Sequence, residues 1–156
     1  MRSFGIRYGY YNAADWKTCR YIDPIVDTFA DIMSAQSAFA FAQDDEGRKA
    51  GAEKYAVVAK KFYKLIEANM FHNGGKYAGG NQISIADFVV AGHMMGCTLN
   101  MKSPLPFYSI SKKIIEGCPA EGDQKAEEGC PEYKALQDRI LEELPYMKED
   151  RPEYPF

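Results

Sequence analysis

The chain has 156 residues and 17.6 kDa, with 46% hydrophobic and 13% aromatic content, enough apolar side chain for one packed domain and too much for a disordered body. A net charge of -3 and a pI near 5.5 exclude a general electrostatic pull toward nucleic acid or an anionic membrane. No apolar run reaches membrane-spanning length and the first residues lack a leader's basic start and apolar stretch, so the expected compartment is intracellular, cytoplasmic before mitochondrial, with no direct membrane insertion.

Taken in order, a helix opens at Asn12 or Asp15 and runs to about Phe41, with Trp16, Cys19, Ile22, Val26, Phe29 and Met33 at three- and four-residue spacing. Pro24 lies inside it, removes one intrahelical hydrogen bond and is expected to kink the helix near Arg20. The segment Gln43 to Gly47 reads as a turn whose acidic residues favour the positive N-terminus of a second helix. That helix carries Ala52, Tyr55, Val58 or Ala59, Phe62, Leu65 or Ile66 and Met70 on one face, largely opposite Lys54, Lys60, Lys61, Lys64 and Glu67. It stops at Asn73-Gly74-Gly75.

The octet Asn81-Gln82-Ile83-Ser84-Ile85-Ala86-Asp87-Phe88 then joins a glycine-rich loop to a third helix that is apolar on nearly every side. Ser84 and Asp87 form a capping box with Asp in place of Glu: the Ser84 hydroxyl accepts from the N–H of Asp87, and Asp87 reaches back to the N–H of Ser84. Ile83 and Phe88 stand at the positions of a hydrophobic staple. After Ser103-Pro104-Leu105-Pro106 comes a short amphipathic piece from Tyr108 to Glu116. An acidic, glycine-containing stretch bracketed by Gly117-Cys118-Pro119 and Gly129-Cys130-Pro131 reads as an exposed loop. Helical spacing resumes through Tyr133, Leu136, Ile140 and Leu144, and Pro145 can start a last short helix.

No useful strand alternation occurs, so the fold class is all-α, a bundle of about five to six helices. Cys19 and Cys97 fall in apolar helical patterns and read as small core residues. With two histidines and no ligand spacing around Cys118 and Cys130, a metal site is not expected.

The glycine-rich loop with its Asn81-to-Phe88 cap, the helix Tyr21-Ile22-Asp23-Pro24-Ile25-Val26-Asp27-Thr28-Phe29-Ala30-Asp31, and the end Leu144-Pro145-Tyr146-Met147 with Arg151-Pro152-Glu153-Tyr154-Pro155-Phe156 resemble, in the same order, the C-terminal helical domain of glutathione transferases, sigma-like members above all. The resemblance implies a helical domain over 13–156 with an insertion loop around 117–131, and over 1–12 a remnant of the segment that joins it to a thioredoxin-like half. That half, which carries the thiol-activating residue, has no counterpart here, so no catalytic residue is expected.

By the same resemblance, glutathione contacts would fall to Asp27 and Ser3, although Arg2 stands where the family has Glu or Gln. The electrophile pocket would be lined by Met33, Ser37 and Phe41. Asp23, Asp27 and Asp31, four apart, form one acidic stripe that must be solvated or paired. No cofactor is expected beyond glutathione, and that only with a completing partner. Tyr8, Tyr10, Tyr11 and Trp16 lie near the surface the other half would cover, so a protein partner or a homodimer is expected, and no nucleic acid. Two functions follow: a protein-interaction or structural subunit that is not catalytic alone, or a transferase contributing pocket and dimer contacts while the thioredoxin-like half is supplied elsewhere.

Overall fold

The computed structural model describes residues 1–74, 76–117 and 129–143. Cys118, most of the insertion loop and the tail from Leu144 onward lie outside the described residues. Among the described residues the chain forms six α-helices and no strand: α1 Arg2–Tyr8, α2 Trp16–Ala40, α3 Asp45–Asn73, α4 Ile85–His93, α5 Phe107–Glu116 and α6 Pro131–Glu143. A π-helical turn, Met94–Thr98, continues α4. None of these helices is long and apolar enough to cross a membrane.

Helices α2 and α3 make the main pair; α4 packs on α2, while α5 and α6 pack on α3. The pair comes close because Gly51 carries no Cβ: an atom built there would lie 2.7 Å from the Phe39 backbone. Asp15, rather than Asn12, caps α2, with its carboxylate accepting from the Thr18 N–H at 3.3 Å and the Thr18 hydroxyl at 2.6 Å. Pro24 is accommodated within α2, and Asn69 from α3 donates to the Tyr21 carbonyl, one residue from the one Pro24 leaves without a partner.

The buried face of α2 differs from the expected stripe. Ile22 is shared, but Ile25, Thr28, Ile32 and Ala35 complete the buried set, while Trp16 is exposed and Met33 half-exposed. The helix meets α3 and α4 on adjacent faces, so the buried strip is wider and rotated relative to a single three-four spacing. On α3 the alternatives resolve to Ala59 and Ile66, alongside buried Tyr55, Phe62 and Met70. Tyr63, absent from the expected face, is fully buried as well.

The third helix is not buried on every side either. Ile85, Ala86, Val89, Val90 and Met94 enter the core, but Phe88, Gly92 and Gly96 form an exposed line. Ile83 and Phe88 both stay partly exposed, and Phe88 meets Tyr10 edge-on with ring centroids 5.0 Å apart. Helix α6 begins at Pro131 under a cap from another helix: the two carboxylate oxygens of Glu67 accept from the Glu132 N–H at 3.1 Å and the Tyr133 N–H at 2.9 Å.

Candidate functional site: an apolar cleft beside the capped core helix

The cap positions everything that follows in α4. Asp87 Oδ2 accepts from the Ser84 N–H and hydroxyl at 2.8 and 2.9 Å, and the Ser84 hydroxyl accepts from the Ala86 N–H at 3.3 Å. These contacts belong to a reciprocal capping box. The second carboxylate oxygen, Oδ1, accepts from the Ala78 N–H at 2.8 Å and so ties the glycine-rich loop to the helix. Burial raises the Asp87 pKa, opposed by the donors from Ala78 and Ser84. Gly79 lets the loop close over this point, since a Cβ there would stand 2.8 Å from both Ile22 and Ser84 Oγ.

One turn further along α4, the chain opens a cleft of about 400 Å³ between α2, the α4–π segment and the start of α5. From α2 and its C-cap come Met33, Gln36, Ser37 and Phe41, all within one helical face by spacing. Gly92 and Gly96 supply the opposite wall by having no side chain; a Cβ at either would meet nothing within 4 Å. Glycine costs an exposed helix interior about 1 kcal/mol relative to alanine, and here its effect is open volume. Phe107 and Leu105 close the end, and no Asp, Glu, Lys or Arg lines the space. Met33, Ser37 and Phe41, expected together from the family resemblance, thus share this cleft; Cys97 was expected only as a small core residue, and Gln36 and the glycine wall carried no signal in the sequence.

Beneath the cleft runs a buried polar chain. His93 Nε2 lies 2.7 Å from the Tyr63 hydroxyl, which donates to Ser111 Oγ at 2.8 Å, and Tyr55 Oη lies 2.8 Å from the same Ser111 oxygen. Since the Tyr63 proton goes to Ser111, His93 donates through Nε2 and Nδ1 is the unprotonated nitrogen. Burial among Phe29, Phe62, Tyr55 and Tyr63 pushes the imidazole down to about 3, so it is neutral across the physiological range. Cys97 lies in the π-helical turn, where Gln36 Nε2 donates to its sulfur at 2.8 Å. Burial pushes that thiol up, which disfavours the thiolate.

The expected glutathione contacts lie elsewhere and face other groups. Asp27 Oδ1 accepts from Arg2 Nη2 at 2.8 Å, and Arg2 Nε holds Asp23 at the same distance. The Tyr11 hydroxyl also donates to Asp23, so Tyr11 is buried and its ring is committed to the fold. Arg2 therefore pairs the first two members of the acidic stripe, and Asp27 and Asp31 line a groove between α2 and α3 together with Lys61 and Lys64. Hydrogen bonds to Asp27 and then Asp23 raise the Arg2 pKa further. Ser3 is exposed on α1. An incoming ammonium at Asp27 would have to share the carboxylate with a guanidinium already in place.

The long α2–α3 pair, with α4 laid against α2 and an apolar cleft along α4, defines an all-helical bundle domain. The family model described as "Glutathione S-transferase, C-terminal domain" matches residues 30–116, more than half of the chain, from within α2 to the end of α5, and the chain belongs to this family. Searches of curated proteins and of solved structures returned no significant match.

Proposed function

We propose that this domain is the binding part of a glutathione transferase-type protein, taking a neutral apolar ligand into the cleft and depending on a group outside these helices for any thiol activation. The cleft is the observation that carries the reading. It falls within the usual range for small-molecule pockets, is lined by Phe29, Met33, Phe41 and Phe107, and carries no ionised side chain. Its titratable residues are unsuited to generating a thiolate: His93 is neutral and donates to Tyr63, and Cys97 is itself held as the thiol. Activity of these helices alone toward glutathione and an electrophile is therefore not expected.

The test is binding of the neutral dye N-phenyl-1-naphthylamine, followed by its fluorescence. The wild-type chain should saturate with dye, and Gly96→Leu, which projects a side chain into the cleft, should abolish binding without lowering the melting temperature. Dye binding unchanged in Gly96→Leu would refute the cleft as the ligand site.

A second reading, docking onto a protein surface or a second copy, is favoured by α1 and the start of α2: Phe4, Ile6, Tyr8 and Trp16 are each more than half exposed. A second copy would appear as reversible self-association in sedimentation equilibrium at micromolar concentration, weakened by Phe4→Ser with Ile6→Ser. A single monomeric species across that range rules the second copy out.

A further inference from the structure

The cleft is apolar, but its one long polar side chain is held in a weak contact. Gln36 sits on the α2 face between Met33 and Ser37, and its amide donates to Cys97 Sγ. A thiol sulfur is a poor acceptor, inferior to a carbonyl oxygen for the same N–H. In a cleft walled mainly by apolar side chains and free of ionised groups, a ligand oxygen would be the better partner. Losing Gln36 would not orphan Cys97, whose thiol also meets the Tyr55 hydroxyl.

We propose that Gln36 is the specificity-determining residue of the cleft, exchanging its contact with Cys97 for a hydrogen bond to a carbonyl-type oxygen of the ligand. It follows that the favoured ligands are neutral hydrocarbons carrying one such acceptor, and that the plain hydrocarbon of the same shape binds less well. This rests on the cleft-binding reading and adds to it which ligands are selected. Carboxylates gain nothing further, because the cleft holds no cation to offset their desolvation.

Fluorene and 9-fluorenone differ by one carbonyl oxygen and share one shape, so their ratio of affinities isolates the contact. Displacement of N-phenyl-1-naphthylamine from the whole chain should rank fluorenone tighter by about three- to tenfold, the range of one net neutral hydrogen bond. In Gln36→Met the ratio should fall to one or below while fluorene binds as before. Cys97→Ala reads the same contact from the other side: it removes the competing sulfur, so the fluorenone preference should grow. Equal ratios in the wild type, Gln36→Met and Cys97→Ala, with both compounds still displacing the dye, would overturn the role of Gln36 and leave the cleft intact. Failure of dye and both compounds to bind the wild type at all would overturn the cleft reading and this one with it.

Discussion

Replacing His93 with glutamine should remove a defined part of the protein's acid sensitivity. A histidine in the unfolded chain titrates near 6.5, whereas in the fold burial holds the imidazole down to about 3. The folded pKa is thus the lower one, so the contribution to stability is complete above about pH 6.5 and is lost as pH falls toward 3, because only the unfolded chain takes up the proton. Between pH 7 and pH 5 a single site of this kind removes about 2 kcal/mol from the unfolding free energy. Glutamine keeps an N–H donor for Tyr63 and does not titrate, so its own fixed cost cancels when each protein is compared with itself at two pH values. Urea denaturation at pH 7, 6 and 5 should show the wild type losing about 2 kcal/mol more than His93→Gln over that range. His72 and the carboxylates are common to both proteins and drop out of the difference. Parallel pH dependence in the two would mean that His93 is solvated or protonated in the fold, and the polar chain through Tyr63 and Ser111 would have to be redrawn.

Three further outcomes follow from the packing. Asp87→Ala should cost roughly 2–3 kcal/mol in a thermal melt, more than Ser84→Ala at about 1 kcal/mol, because it strands the buried N–H groups of Ala78 and Ser84 together; equal losses would contradict the link to the loop. Gly92→Ala should stabilise by about 0.5–1 kcal/mol while Gly51→Ala destabilises, although both gain helix propensity, since only the Gly51 methyl would meet backbone; chemical denaturation of the pair reads this directly. Arg2→Ala should cost under about 1 kcal/mol despite its two ion pairs, because all three side chains remain open to solvent; a larger loss would show that the clamp holds α1 in place.

The readable parts of this chain were those set by near neighbours. Ser84 and Asp87 are three apart, and a capping contact at that distance follows from helix geometry alone. The family resemblance implied Met33, Ser37 and Phe41 at one pocket, and their spacing of four residues keeps them on one face. The rest of the cleft arises from segments far apart in the chain: Gln36 meets Cys97 across 61 positions, and Gly92, Gly96 and Phe107 gain meaning only once α2 lies beside them. Tyr63 stands among Lys60, Lys61 and Lys64 and so looks like part of a charged face. Its burial is tolerable because its hydroxyl donates to Ser111 and is hydrogen-bonded to His93, partners 48 and 30 residues away. The acidic stripe was legible as a charge that needed an answer, but the answer from Arg2 comes 25 residues earlier in the sequence.

The carboxylate of Glu67 makes the start of α6 conditional on α3. Its acceptors sit 65 and 66 positions from the amides they hold, so the chain must close a long loop before the last described helix has a stable first turn. Helix α6 therefore belongs to the late stage of folding and the early stage of unfolding, with φ-values near zero expected for substitutions at Leu136 and Ile140. One side chain thus sets the expected order of assembly: the α2–α3 pair first, and after it the last described helix.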